Sequence, residues 1–214
     1  MKKILVLIPA FLLAFQISKA QTEKGSQTLG IDLQFMHQKS TQNIFQSSPN
    51  PYASEVKNTN FSIGPNYSYF IADKLDIGVN VNYAHTSQNS KNSTYPNNVT
   101  SHQYGATLFL RKYFMFGDKL GLRAGPYLGY SRYDFRSVDT STPTKTDNYT
   151  AGATMGLVYY PAKKLGLAAT LANFSYSHSK VKADNSQIES TNNVNFNLIN
   201  NGLLLSVFYV FGGK

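Results

Sequence analysis

The 214-residue chain contains no cysteine and no tryptophan, and after its first twenty residues it contains no long apolar run. The lack of cysteine excludes a disulfide scaffold, a thiol nucleophile and a lipid-modified cysteine. A membrane-spanning helix needs about 20 predominantly apolar residues, so no helix of that kind is expected beyond the N-terminus. These absences leave a large core, or membrane strands of alternating polarity, as ways to fold.

Residues 1–20 are predicted to be a signal peptide. Lys2 and Lys3 form a basic start, residues 4–15 form an apolar stretch, and Ser18 and Ala20 are small residues at the positions that a signal peptidase recognises. The apolar stretch is shorter than the roughly 20 residues that a spanning helix needs, which favours a removed leader over an anchor. We therefore expect an exported protein, with residues 21–214 forming one domain.

The chain is basic, with a formal net charge of +9 from 20 Lys and Arg against 11 Asp and Glu. The cations are scattered and do not form one patch, so we interpret them as solvated turns and loops that face anionic lipid and expect no nucleic-acid partner. No clustered His, Asp and Glu spacing typical of a metal site occurs. We expect neither a metal nor another cofactor.

A short polar turn that leads into a leucine occurs three times, at 72–75, 117–120 and 162–165, with a period of 45 residues. Self-similarity at a fixed period indicates a repeated structural unit. On both sides of each turn, apolar residues alternate with small or polar ones, which predicts antiparallel β-hairpins.

Followed along the chain, the alternation predicts eight strands. A loss of phase near Asn173 suggests a β-bulge, and a second phase change occurs at Asn200 and Asn201. The predicted strands are 28–38, 60–69, 75–85, 101–113, 120–135, 148–160, 165–178 and 194–211. The long polar connections are predicted at 39–59, 86–100, 136–147 and 179–193, and their Ser, Asn, Gln and Pro content favours irregular backbone.

Three features favour a membrane barrel over a soluble sandwich. The short turns all fall at one end and the long loops at the other, most strands reach the roughly 9–11 residues that cross a bilayer, and aromatic residues form two groups that match interfacial girdles. The turn-end group is Tyr67, Tyr69, Phe70, Phe114, Phe116, Tyr159 and Tyr160, and the loop-end group is Tyr83, Tyr104, Tyr130, Tyr149 and Tyr176.

The predicted fold class is therefore all-β, an eight-stranded antiparallel up-and-down transmembrane β-barrel in the outer membrane. The long loops would lie outside the cell and the short turns in the periplasm. A propeller is discounted because three units are too few to close one and the chain has no tryptophan. A lipocalin-like soluble barrel is the alternative, and it would turn the apolar face inward.

Three segments also resemble a known family: IGPNYSYFIADKLDIGVNVNY (63–83), LFLRKYFMFGDKLGLRAGPYLGY (108–130) and LLLSVFYVF (203–211). They resemble the small outer-membrane β-barrel, or porin-like, family of Bacteroidetes-type Gram-negative bacteria, with a barrel domain of the OmpA/OmpX type. The resemblance spans nearly all of the mature chain and implies an architecture but no activity. It further implies that the barrel-assembly machinery recognises the C-terminal strand, although here three residues follow Phe211.

Three inward-facing charges are the candidate lumen site. Asp76, Arg111 and Arg123 are expected near the turns on neighbouring strands and to form an ion-pair cluster, because an unpaired buried charge costs several kcal/mol. Tyr113, Tyr127 and Tyr160 are also expected to point inward, which would leave little open cross-section. The alternative is that each charge reaches water at the periplasmic mouth without a partner.

Outside the lumen, Phe45, Tyr52 and Tyr95 are aromatic residues of the predicted loops and are the candidate contacts for an extracellular ligand or surface. The alternative is that they pack on the barrel rim. The pairs Ser101-His102 and His178-Ser179 place a hydroxyl beside an imidazole, as a lipid-modifying enzyme would require. Neighbours on a strand point to opposite faces, so we expect no catalytic residues.

The sequence thus predicts a non-enzymatic outer-membrane β-barrel, surrounded by outer-membrane lipid, with a structural, surface-interaction or limited-permeability role. The alternatives are a small-solute diffusion porin and an outer-leaflet lipid-modifying barrel enzyme. Conductance would identify the porin, and loss of lipid A acyl chains would identify the enzyme.

Overall fold

The computed structural model describes residues 21–44, 52–91, 98–137, 144–182, 188–198 and 204–212. These residues form strands joined by antiparallel pairing. The strands are β1 (Ser26–Ile44), β2 (Tyr52–Ala72), β3 (Leu75–Lys91), β4 (Asn98–Phe116), β5 (Leu120–Ser137), β6 (Thr144–Ala162), β7 (Leu165–Lys182), β8 (Ile188–Leu198) and β9 (Leu204–Gly212). No helix in the described ranges has the length and apolarity needed to cross a membrane. The predicted signal peptide lies outside the described residues.

The strands close into a barrel. Consecutive strands from β1 to β7 pair as antiparallel neighbours, and β9 pairs with both β1 and β7. Strand β8 pairs with the loop-side half of β7, above the part that pairs with β9, so β8 and β9 together occupy one strand position. The predicted closed, eight-stranded antiparallel barrel is confirmed, but its predicted last strand, 194–211, is described as two strands, β8 and β9.

The three predicted short turns separate β2 from β3, β4 from β5 and β6 from β7. In each turn a lysine carbonyl accepts a hydrogen bond from a backbone N–H of the next part of the barrel. The bonds join Tyr113 N to Lys74 O at 2.8 Å, Tyr160 N to Lys119 O at 2.7 Å, and Val210 N to Lys164 O at 2.8 Å. Each 45-residue sequence repeat therefore contains two antiparallel strands, the connection between them and the short turn that follows.

The strands extend further toward the loops than predicted. Pairing between β1 and β2 continues to Ile44 opposite Tyr52, so most of the segment 39–59, predicted as a loop, is strand. The segments 86–91, 98–100, 144–147 and 188–193 are likewise strand. The prediction was wrong here because cross-strand hydrogen bonds and neighbouring side chains outweigh the local preference of Ser, Asn and Gln for turns. At 21 residues, β2 also exceeds what a bilayer crossing needs.

The apolar side chains face outward. Along β9, Leu205 is 44% exposed and Ser206 only 4%, and the same alternation continues to Tyr209 and Val210. Large apolar side chains are exposed on the outer face of every strand. A continuous apolar belt of this extent suits lipid and not water, so the lipocalin-like alternative is contradicted.

The aromatic girdles are present with two corrections. Tyr67, Tyr69, Phe114, Phe116 and Tyr159 are exposed near the turns. Tyr104, Tyr130, Tyr149 and Tyr176 are exposed on the loop side of the barrel, and Tyr83 of the same predicted group is half-buried. Phe70 and Tyr160, predicted in the turn-end girdle, are fully buried inside the barrel, which confirms the other prediction for Tyr160, that it points inward. Each directly follows an outward tyrosine, and consecutive strand residues point to opposite faces.

Two irregularities interrupt the wall. On β7, Ala172 pairs with Met155 and Thr170 with Gly156, so Leu171 is an extra residue, a bulge two positions before the predicted one. At the second, Leu198 is opposite Ala172 and Leu205 opposite Ala169. The chain therefore has six residues between Leu198 and Leu205, whereas β7 has two between their partners. Regular alternation would put Leu198 and Leu205 on opposite faces, but because of these extra residues both point outward.

Candidate functional site

The turn end of the lumen is filled by a buried cluster. Phe70 lies 5.3 Å from Tyr113 between ring centroids, and Tyr160 meets Phe208 edge-on at 5.8 Å. The cluster is Phe70, Tyr113, Val158, Tyr160, Ala168, Phe208 and Val210. The Phe208 ring covers Gly166, where a Cβ atom would overlap it, so glycine is required there. Because these side chains are almost wholly buried, the described residues leave no open channel at this level.

Directly above this cluster, Asp76 forms an ion pair with Arg111. The Arg111 Nη2 donates to Asp76 Oδ2 at 2.6 Å and its Nε donates to Oδ1 at 3.1 Å. Ser68 Oγ donates to the same carboxylate at 2.7 Å and Tyr113 OH at 3.1 Å. A bidentate guanidinium with two further donors is a strong arrangement for a buried carboxylate. The guanidinium also lies 3.8 Å from the Phe109 ring centroid.

Arg123 does not join this ion pair, in contrast to the expected three-charge cluster. Within the described chain no carboxylate lies within ion-pair distance of Arg123, and its Nη2 donates to Ser206 Oγ at 3.2 Å. Strand register is the reason. Asp76 is directly opposite Arg111, whereas Arg123 is opposite Tyr113. The structure thus brings two of the three predicted charges together and leaves the second cation, Arg123, beside them.

A second carboxylate, Asp32, is bound by amides. Asn66 Nδ2 donates to Asp32 Oδ1 at 2.8 Å, and Asn80 Nδ2 donates to Oδ2 at 2.7 Å. Alternation along β1 places Asp32 inside the barrel, but no local pattern indicates that two asparagines from other strands would meet it. Asp32 is therefore a site residue that the sequence analysis did not select.

A cavity of about 360 Å³ lies above Arg111 and Arg123. Its lining combines these cations with Asp32 and apolar side chains, among them Leu171 and Leu204. A second cavity of about 280 Å³ adjoins it toward the loops and shares Asp32 with it. The first volume falls within the roughly 300–1,000 Å³ of small-molecule pockets.

The barrel wall is unpaired on the loop side of this cavity. Beyond Gln34, β1 pairs only with β2, and β8 pairs only with β7, over the residues described for these strands. No Cα atom of β8 lies within 8 Å of a Cα atom of β1, whereas paired strands are about 4.8 Å apart. We call this gap between residues 35–44 of β1 and β8 the wall opening.

The cavity reaches the wall opening at its lower edge. Gln34 and Leu204, the last pair between β1 and β9, both line the cavity, as does Asn197 of β8. The outward side chains on the two sides of the opening are apolar, and Phe35 is 62% and Phe196 64% exposed. The lower part of the opening therefore lies at the level of the apolar belt. The phase change at Asn200 and Asn201 was the sequence signal closest to it.

The loop-side histidines are bound by neighbours other than serine. His102 Nδ1 lies 2.9 Å from Tyr83 OH, and His178 Nδ1 lies 2.7 Å from Asn192 Oδ1. Ser101 points into the barrel while His102 points outward, as strand geometry requires. Ser179 donates to Asn148 Oδ1 at 2.9 Å. Among the described residues, no three His, Asp or Glu side chains are close enough to share a metal ion.

The extended β1–β2 hairpin carries a charged cluster. Glu55 binds Lys39 at 2.8 Å and Lys57 at 3.2 Å, and hydrogen bonds from these lysines lower the pKa of Glu55. Tyr52, predicted in a loop, is the first residue of β2 and lies opposite Ile44. Phe45 and Tyr95 lie outside the described residues. The role of all three aromatics in external contact stays a prediction.

No family model matches the chain, and no curated protein sequence matches it. Among solved structures it is similar to the outer membrane protein OprG from Pseudomonas aeruginosa, with 13% identity, 89% of this chain and 98% of that chain covered, and a TM-score of 0.56. The chain has the fold of a small outer-membrane β-barrel.

Two other solved structures are similar at lower scores. Outer Membrane Protein W of E. coli shows 14% identity over 88% of this chain and 99% of that chain, with a TM-score of 0.48. A major outer membrane protein from Thermus thermophilus shows 9% identity over 87% and 99%, with a TM-score of 0.45. The barrel fold and its outward apolar belt confirm the predicted outer-membrane location. At identities this low, the similarity to solved structures shows the fold alone. The Bacteroidetes-type origin stays a prediction.

Proposed function

We propose that this barrel has limited permeability and delivers small apolar or amphipathic molecules from outside the cell sideways into the outer membrane. The observation that carries the proposal is that the lumen cavity borders the wall opening, whereas the turn end is filled. Within the described ranges, a molecule entering from the loop side would meet a filled floor and, between β1 and β8, a part of the wall that is not paired.

The filled turn end argues against a diffusion porin. An eight-stranded barrel has an interior just wide enough for its own side chains. Here Tyr113, Tyr160 and Phe208 take up that space below the Asp76–Arg111 pair. We expect no steady porin-sized current when the protein is placed in a planar bilayer. Such a current from the unmodified protein would favour the porin instead.

The wall opening supports a sideways exit. Unpaired backbone groups that face hydrocarbon cost several kcal/mol each, but they are tolerated where they line a water-filled cavity. The edges of β1 and β8 that face the gap adjoin the lumen cavity, which polar side chains such as Asp32 and Gln34 line. A molecule that left through the gap would pass between apolar side chains such as Phe35 and Phe196 and enter lipid.

Bridging the wall opening tests this proposal. The double variant Met36→Cys with Asn195→Cys places one thiol on each edge, and the chain has no native cysteine to compete. A bismaleimide is needed because the Cα atoms are too far apart for a disulfide. We expect bridging to slow uptake of a membrane-activated dye, N-phenyl-1-naphthylamine, to the rate of cells without the protein.

The matched control is Ser62→Cys with Ala84→Cys, a directly opposite pair on β2 and β3. Bridging two strands that are already hydrogen-bonded should leave dye uptake unchanged. If the bridged Met36 and Asn195 variant takes up dye as fast as the unbridged one, sideways delivery is wrong.

The proposal includes no enzymatic activity. The opposite orientations of Ser101 and His102 support this, and preserved lipid A acyl chains in cells producing the protein would test it. As partners we propose outer-membrane lipid around the apolar belt, and the barrel-assembly machinery at β9, whose outer face carries Tyr209 and Phe211.

A further inference from the structure

The two cations at the cavity floor differ in their partners. Arg111 is bound in two places by Asp76. Arg123 lines the same cavity, and within the described chain it is bonded to uncharged groups. Its Nη2 donates to Ser206 Oγ at 3.2 Å, its side chain also hydrogen-bonds the Tyr113 hydroxyl, and the Phe208 ring centroid lies 5.9 Å from its Cζ. A guanidinium has five N–H donors in a planar fork. Arg123 therefore retains donors for a further acceptor.

Asp32 is a carboxylate that lines the same cavity, and both of its oxygens already accept hydrogen bonds. Each of its oxygens accepts an amide hydrogen bond, from Asn66 and from Asn80. Asp32 lies opposite Ser206 on β9, and Ser206 stands between it and Arg123. The cavity floor thus offers one cation with donors available, beside a carboxylate that is held by neutral groups.

The rest of the cavity suits an aliphatic chain. Leu171, the extra residue of the β7 bulge, and Leu204, at the lower edge of the wall opening, line it together with Phe109. These side chains lead from the arginines toward the opening. A ligand that matched this layout would carry an anionic group at one end and an apolar chain at the other.

We propose that the cavity binds an aliphatic monocarboxylate, with its carboxylate on Arg123 and its chain directed toward the wall opening. Guanidinium groups bind carboxylates through two parallel hydrogen bonds, which favours this head group over a neutral one. The proposal rests on the proposed function in one respect, that aliphatic molecules enter the cavity. It adds the charge of the molecules that are held there.

The experiment measures quenching of one tryptophan by a brominated ligand. The chain has no tryptophan, so Tyr127→Trp, on the cavity lining, gives a single fluorophore inside the barrel. The protein is placed in lipid nanodiscs and titrated with 10-bromodecanoate or with neutral 10-bromodecanol. We expect the carboxylate to bind more tightly than the alcohol, and Arg123→Gln to weaken carboxylate binding about tenfold or more.

Two further variants keep the test specific. Arg123→Lys retains the charge without the planar fork and should restore part of the lost affinity for the carboxylate. Arg132→Gln makes the same replacement on the outer face of the same strand and should change nothing. Heat-modifiable migration on a gel shows that each variant is folded.

The results separate this inference from the proposed function. Equal quenching by acid and alcohol, unaffected by Arg123→Gln, would overturn the Arg123 site while leaving sideways delivery of neutral molecules standing. Quenching by neither ligand would overturn the site and also count against entry into the cavity. Charge-dependent quenching together with undiminished dye uptake after bridging of the wall opening would retain the site and refute sideways delivery.

Discussion

Asp76→Asn tests whether the ion pair holds the turn end of the lumen together. Asp76 is fully buried and accepts hydrogen bonds from Arg111, Ser68 and Tyr113. The substitution keeps the size of the side chain but removes its charge. Arg111, whose side chain is only 12% exposed, would then remain as a buried cation without a charged partner at this position.

The expected loss of stability follows from the unpaired charge of Arg111. Removing one partner of a buried ion pair costs about 3–5 kcal/mol, mostly because the other charge is left uncompensated. Asp76→Asn with Arg111→Met removes both charges, so we expect a smaller loss than for Asp76→Asn alone. The matched control is Asp118→Asn, the same replacement at an exposed turn position, which should stay within about 0.5 kcal/mol.

The assay is urea-induced unfolding in lipid vesicles, with the folded fraction measured by heat-modifiable migration. The free energy of unfolding should fall in the order control, double variant, Asp76→Asn. If Asp76→Asn were as stable as Asp118→Asn, or if the double variant were the less stable of the two, Arg111 would not depend on Asp76. The buried-pair argument would then be refuted.

Two further stability predictions use neighbouring or matched residues in the same unfolding assay. Leu205→Arg should cost about 2–4 kcal/mol because it faces lipid, whereas Leu204→Arg, which faces the cavity, should cost less; a reversed order would contradict the face assignment. Tyr160→Phe should leave stability unchanged or raise it by up to about 1 kcal/mol, because the buried Tyr160 hydroxyl has no hydrogen-bond partner among the described residues. Tyr113→Phe, which removes a hydrogen bond to Asp76, should instead lower stability by about 1–2 kcal/mol, and equal effects of the two changes would refute the distinction.

The sequence by itself determined the alternation of faces along the strands and the positions of the three short turns. Alternation of period 2 is a local property, since each residue's face depends only on its position along its own strand. For this reason the alternation alone assigns Leu205 to the outer face and Asp76 and Arg111 to the lumen. The 45-residue period likewise marked the hairpins, because each turn carries its own polar residues.

Strand lengths were only partly determined in this way. The polar segments between the predicted strands favour irregular backbone locally, yet 39–44 and 52–59 pair with each other as strand. Hydrogen bonds between β1 and β2 stabilise the extended backbone that the local composition does not favour. A hairpin already aligned by its membrane part continues beyond the membrane.

The tertiary structure alone decided which inward side chains meet and where the wall is unpaired. Register between strands places Asp76 opposite Arg111 and places Arg123 opposite Tyr113. Neither pairing can be read from the sequence of one strand alone. Closure of the barrel joins β1 to β9, strands from the two ends of the chain, and leaves β8 away from β1. Both outcomes depend on pairing between distant segments, so the cavity floor and the wall opening exist only in the folded barrel.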